Sequence, residues 1–202
     1  MDNQLHKSDA REFAGTRWKQ YGCLQRTSIP PGLYGWLLDT ASLTARLQHL
    51  CPGRFSVELL SQGRSRPRRD EARVLGMRNG ERALVRQVRL LCGDQPWIFA
   101  RTVIPVTSLR GRLQRLAHLG TRPLGAMLFA DPAMRRGNVE LARITPGQPL
   151  FSEAVRDSRQ RPEEIWGRRS VFRIAALPLL VSEIFLPGFP AADADRPFRK
   201  SR

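Results

Sequence analysis

The chain has 202 residues, 41% of them hydrophobic, which is enough for one sizeable core and suits a single domain better than two. Its 34 basic and 18 acidic residues leave a formal charge of +16, which alone would put nucleic acid at the head of the partner list. The basic clusters at 64–69, 156–161 and 196–202 sit in loop-like or terminal stretches, however, so solvated charge is expected there, and no specific nucleic-acid surface.

Residues 1–15 are polar and read as a flexible N-terminal segment, and 191–202 as a basic tail around a single domain at 16–190. Pro30-Pro31-Gly32 stops whatever precedes it and opens a helical pattern through Leu33, Trp36, Leu37, Leu43 and Leu47, long enough for two short helices. Residues 54–61 alternate as a strand through Phe55, Val57 and Leu59, and a basic loop broken at Pro67 follows. Residues 82–91 and 96–106 read as two strands joined by the turn-rich Cys92-Gly93-Asp94-Gln95, a hairpin that puts Leu84, Arg86, Val88 and Leu90 on one face. Residues 109–119 have helical spacing and end at Gly120, and Pro123-Leu124-Gly125 leads into the apolar Met127-Leu128-Phe129. Residues 139–144, 170–174 and 179–186 supply further strands, whereas 145–164, polar and marked by Pro146, Gly147 and Pro162, reads as an excursion from the core. Hairpins with few helices between them indicate an α+β fold, an antiparallel sheet with flanking helices covering one face.

Cys23, Cys51 and Cys92 form no CxxC pair and have no histidine at a zinc-like spacing, so three free thiols in a reducing compartment, and no metal site, are expected. His6, His49 and His118 are scattered and read as surface or helix residues. With no apolar signal region and no apolar run near the roughly 20 residues that span a bilayer, a cytoplasmic protein without a transmembrane segment is expected.

The late stretch WGRRSVFRIAALPLLVSEIFLP, residues 166–187, carries one carboxylate, Glu183, between hydrophobic neighbours. A desolvated carboxylate is either tied to a cation or held for proton work. Arg86, Arg101, Arg168 and Arg169 lie in similar strand-like segments and are candidates either to pair with it or to receive an anionic ligand. Adjacent Arg168 and Arg169 point to opposite faces of a strand, so at most one is expected to face a pocket while the other is solvated. Taken alone, Arg86 reads as a surface or salt-bridged strand residue.

Several segments together resemble the chorismate pyruvate-lyase family: Val85-Arg86-Gln87-Val88, the run from Pro96-Trp97 through Arg101-Thr102 to Pro105, Arg122-Pro123-Leu124-Gly125, Trp166-Gly167-Arg168-Arg169-Ser170, and Pro178-Leu179-Leu180 through Glu183 to Pro187. The resemblance implies a chorismate lyase-like α+β fold and an enzyme, a carbon–oxygen lyase acting on chorismate at the first step of ubiquinone biosynthesis. It also implies a monomer needing no cofactor. Carried over position by position, it places the ligand-binding arginine on Arg86, the glutamate on Glu183 and a backbone contact on Leu124. A guanidinium fork suits the ring carboxylate of chorismate or its product 4-hydroxybenzoate, and a carboxyl group at the far end suits the ring hydroxyl. Leu43, Leu124 and Phe185 are expected as apolar walls. Leu43 stands where a methionine is familiar in the family, and the 145–164 stretch is longer than the family pattern. The WGRRS segment is expected to be mainly structural, with the alternative that one of its arginines attracts the substrate's side-chain carboxylate. A related sheet fold serves as the effector-sensing module of transcription regulators, so a non-catalytic binder of aromatic acids is the competing reading. Such regulators carry a separate N-terminal helix-turn-helix, and the 15 or so polar residues here are expected to be too few to build one.

Overall fold

The β-branched and apolar alternation from residue 83 onward folds as long strands, and the proline- and glycine-punctuated segments between them fold as short helices. The computed structural model describes residues 15–24 and 26–191; the expected N-terminal segment up to residue 14, with His6, and the basic tail from 192 lie outside the described residues. In chain order the elements are β1 (Lys19–Gln20), α1 (Pro31–Leu37), α2 (Leu43–Leu50), β2 (Phe55–Ser65), α3 (Arg69–Val74), β3 (Ala83–Cys92), β4 (Gln95–Pro105), α4 (Leu124–Phe129), β5 (Met134–Arg136), β6 (Glu140–Ile144), α5 (Pro149–Ala154), β7 (Ile165–Ile174) and β8 (Leu177–Phe185). Two 3₁₀ segments, Val106–Ser108 and Gly111–His118, link β4 to α4.

The strands form one antiparallel sheet in the order β1-β6-β7-β8-β4-β3-β2, with β5 pairing to the far end of β7. Register is set by two tight hairpins, Gly93-Asp94 between β3 and β4 and Ala175-Ala176 between β7 and β8. Directly paired residues share a face. One row of partners therefore runs Arg86, Thr102, Val181, Ser170 across β3, β4, β8 and β7, and the neighbouring row runs Val88, Ala100, Glu183, Arg168.

That face carries two apolar clusters, one with Trp36, Leu37, Leu43 and Leu47 of the first two helices, the other with Leu113, Leu116, Leu124 and Leu128. Helices cover the opposite face as well, which corrects the one-sided covering expected. Leu75 and Val74 from around α3 pack on Val85, Val103 and Leu180, and α5 brings Leu150, Phe151 and Ala154 onto Phe99 and Ile184. The 145–164 stretch is thus not wholly an excursion. Its polar flanks hide a six-residue helix whose apolar side is part of the core.

Three further expectations change in detail. Leu113, Leu116 and Leu119 are all buried at a spacing of three, the 3₁₀ repeat, and 111–118 accordingly forms a 3₁₀ helix ending at Gly120, whose φ is 56°. In β2 the register slips between Leu59 and Ser61, so Phe55 and Val57 pack inward while Leu59 is exposed and Leu60 turns to the opposite core. Cys51 and Cys92 are joined as a disulfide with a Cα–Cα distance of 5.8 Å, leaving only Cys23 as a free, exposed thiol among the described residues. Sequence spacing could not reveal this pair, because the C-terminus of α2 meets the end of β3 only through folding. No helix among the described residues is long and apolar enough to cross a membrane.

Candidate active site

Between the sheet and helices α2 and α4 lies a pocket whose floor is formed by Arg86, Thr102 and Val181 of the first row and Val88, Ala100, Glu183 and Arg168 of the second. Leu43 and Thr44 from α2 and Leu124, Gly125 and Leu128 from α4 form its roof, and Val57, Leu90 and Phe172 are among its walls. The two roof helices approach so closely that a Cβ on Gly125 would stand 2.8 Å from Thr44 Oγ1, which explains the glycine after Pro123-Leu124. The first-turn amides of α4, Leu124 among them, have no intrahelical acceptor.

Three guanidiniums and one carboxylate reach this otherwise apolar space: Arg86, Arg136, Arg168 and Glu183. Arg86, on β3, is 4% exposed and its Nη2 donates to Gly120 O at 2.7 Å and Arg122 O at 3.1 Å, with Nε donating to Gly120 O at 3.3 Å. No carboxylate pairs with it among the described residues. Burial pulls its pKa down to about 10, the mark of a desolvated cation without a counter-ion. The two-point fork expected for a carboxylate is thus half committed, since the Nε–Nη2 edge holds backbone carbonyls and Nη1 remains for a ligand.

Glu183 is paired. Arg168 Nε donates to Glu183 Oε2 at 2.6 Å, and its Nη1 donates to the carbonyls of Trp36 at 2.7 Å and Asp39 at 2.6 Å. Arg168 therefore orients the carboxylate and clamps the end of α1 together with the segment after it, which fits the structural reading of the WGRRS stretch. The glycine in that stretch is also structural, for a Cβ on Gly167 would stand 3.2 Å from both Glu183 O and Ile184 Cγ1.

Arg169 and Arg101 lie on the opposite face and away from the pocket. Arg169 is not solvated as expected: its Nη1 meets Asp70 Oδ2 at 2.7 Å, its Nε meets Glu140 Oε2 at 2.6 Å, and its guanidinium lies over the Trp18 ring. Arg101 grips Glu71 in a fork, Nε to Oε1 at 2.7 Å and Nη2 to Oε2 at 3.1 Å. Burial by itself would raise the Glu71 carboxyl, but Arg101, helped by Arg68, overcomes it and holds the group below its ordinary value. His49 and His118 lie in α2 and at the end of the 3₁₀ helix, outside the pocket lining.

Sequence reasoning overlooked Arg136. It sits on the short β5, after an unremarkable Met134-Arg135, and only the pairing of β5 with β7 swings it over the pocket. Phe185, expected as a wall, belongs instead to the aromatic cluster with Phe189 behind it.

The chorismate lyase family model matches residues 15–191. This chain belongs to the chorismate lyase family. Relatives include a probable chorismate pyruvate-lyase of Nitrosospira multiformis, 40% identical over 80% of this chain and 89% of that protein. Another, from Azoarcus sp., is 46% identical over 75% of this chain and 82% of that protein. A third, from Pseudomonas aeruginosa, is 43% identical over 81% and 88% respectively. Among solved structures, the C-terminal domain of the histidine utilization repressor from Pseudomonas syringae pv. tomato superposes with a TM-score of 0.50 at 12% identity, over 74% of this chain and 99% of that one. At that identity the likeness concerns the fold alone: the chorismate lyase sheet with helices on its faces is shared with a regulator's C-terminal domain.

Proposed function

We propose that this lyase cleaves chorismate to 4-hydroxybenzoate and pyruvate, at the first step of ubiquinone biosynthesis, as a cytoplasmic monomer. The observation that carries the reading is the family match over residues 15–191. The pocket is of the kind the reaction needs, apolar in its walls with a desolvated guanidinium at Arg86 and a carboxylate at Glu183 on neighbouring rows of the floor.

In this reading Arg86 Nη1 and the first-turn amide of Leu124 receive the ring carboxylate, and Leu43 and Leu124 sandwich the ring. Glu183, held by Arg168 through Oε2, meets the ring hydroxyl through Oε1. The carbon–oxygen bond to the enolpyruvyl arm then breaks with its electron pair leaving on the enolate oxygen. The ring loses the hydrogen on the adjacent carbon and becomes aromatic, and the proton ends on the pyruvate. Aromatisation supplies the driving force and no cofactor takes part. The enclosure contributes by positioning the arm and by strengthening each polar contact in a water-poor site.

The product keeps the carboxylate and ring that the site grips, so its slow release is expected to limit the rate and the product to inhibit. Incubating the purified protein with chorismate and following both products tests the proposal. Equal amounts of 4-hydroxybenzoate and pyruvate, with a burst at high enzyme concentration, are expected. Intact chorismate together with tight 4-hydroxybenzoate binding would instead favour a non-catalytic binder of aromatic acids.

A further inference from the structure

The charges around the pocket do not balance, and the imbalance is specific. Asp39 is taken by Arg46, whose Nη1 lies 3.1 Å from Asp39 Oδ2, and Glu183 is taken by Arg168. Arg86 and Arg136 remain, two guanidiniums lining one apolar pocket with no carboxylate bonded to either among the described residues. Taken with the Arg168–Glu183 pair, the lining carries a net charge of +2. A monocarboxylate such as 4-hydroxybenzoate would neutralise only one of the two cations. Desolvated cations are retained where a ligand compensates them.

Arg136 is also held in place. Its Nε donates to Ser170 Oγ at 3.0 Å, its Nη1 donates to Thr40 O at 2.9 Å and Asp39 O at 3.3 Å, and its guanidinium carbon lies 5.3 Å from the centre of the Phe172 ring. Those contacts take Nε and Nη1 and leave Nη2 for a ligand. Burial, with the nearby Arg168 charge, lowers its pKa to about 10 even though Glu183 and Asp39 pull the other way.

Ser170, which fixes Arg136, ends the row that Arg86 begins. Three inter-strand steps of about 4.8 Å separate those two backbones, roughly 14 Å, and both arginine side chains shorten that gap from its ends. Between them the floor is Thr102 and Val181, side chains short enough to leave room for a ring.

We propose that Arg136 receives the second carboxylate of a dicarboxylate substrate, the one on the departing enolpyruvyl arm, while Arg86 receives the ring carboxylate. This rests on the chorismate reading of the same pocket and adds to it a residue for the arm. The assignment makes Arg136 selective for substrate over product. It grips a group that 4-hydroxybenzoate lacks, and it neutralises charge on the fragment that leaves.

The test compares ligands with one and two carboxylates on wild type, Arg136→Met, Arg136→Lys and Arg86→Met. The probes are benzoate, 4-hydroxybenzoate, 3-(carboxymethoxy)benzoate as an inert dicarboxylate, and chorismate as substrate. Wild type is expected to bind the dicarboxylate at least about 30-fold tighter than benzoate. Arg136→Met is expected to erase that preference and lower kcat/KM for chorismate roughly 100-fold or more, while its Kd for 4-hydroxybenzoate stays within about threefold. Arg136→Lys, keeping the charge without the fork, should recover about a tenth of wild-type kcat/KM. Arg86→Met should weaken every ligand. Unchanged 4-hydroxybenzoate affinity in Arg136→Met also shows that the pocket has kept its shape. Equal losses for one- and two-carboxylate ligands, or no loss for either, would overturn the assignment. A wild type that prefers the dicarboxylate but leaves chorismate intact would overturn the lyase reading while leaving Arg136 as a carboxylate receptor.

Discussion

The same residue type does opposite work on the two faces of this sheet. Arg101 and Arg169 are saturated by carboxylates and hold α3, β6 and the sheet together, whereas Arg86 is held, among the described residues, by backbone carbonyls and keeps its charge for a ligand. Glu183→Ala is expected to lower kcat by about 10² to 10⁴ while changing 4-hydroxybenzoate affinity much less, and unchanged turnover would remove its assigned role. On the other face, Glu71→Gln removes the charged fork from the buried Arg101, leaving its longer contact to Glu153 at 3.7 Å, and is expected to cost about 3 kcal/mol at pH 7. The Glu71 carboxyl is lowered in the folded protein, so its contribution is fully present above its ordinary value of 4.5 and is lost as pH falls through the folded value. The urea-unfolding gap between wild type and variant should therefore begin to close below about pH 4.5. A gap that stays constant to pH 3 would mean the charge is not the source.

At the scale of elements, the hairpin between β7 and β8 carries a visible strain. Ala175 and Ala176 have φ of 49° and 67°, a left-handed pair that a two-residue hairpin requires but that alanine tolerates poorly. Replacing them with Asn-Gly is expected to stabilise the protein by about 1–2 kcal/mol without affecting turnover, read as a rise in Tm. The turn lies at the end of the strands that carry Arg168 and Glu183, so its register fixes their partnership. A second element-scale expectation concerns the roof. Gly125→Val would drive α4 off Thr44 and Ser42 and is expected to weaken 4-hydroxybenzoate binding at least about tenfold, measured by fluorescence titration.

For the whole molecule, the Cys51–Cys92 link ties the end of α2, a pocket-roof helix, to the end of β3, closing a 41-residue separation. Loop entropy for that separation amounts to about 4 kcal/mol in favour of the folded chain. Cys92→Ser is therefore expected to lower the urea midpoint substantially, while thiol titration of denatured wild type should find one free cysteine where the bond is formed and three after reduction. Midpoints that coincide with and without reductant would show that the link contributes nothing to the fold.

Local patterns were legible wherever a short-range rule decides the outcome. The prolines opening α1, the alternation of β3 with Arg86 on the Val88 face, the turn before β4 and the apolar flanks of Glu183 all follow from neighbours in the chain, as does membership in the family through its ordered segments. What lay beyond such reading depends on contacts between distant residues: the partner of Glu183, the saturation of Arg169, the burial of α5, the joined cysteines and the arrival of Arg136 over the pocket. Each of those is decided by which strands pair and in what register. The electrostatics of a buried group are fixed by the charges that folding brings within a few ångströms, and sequence order does not contain that distance.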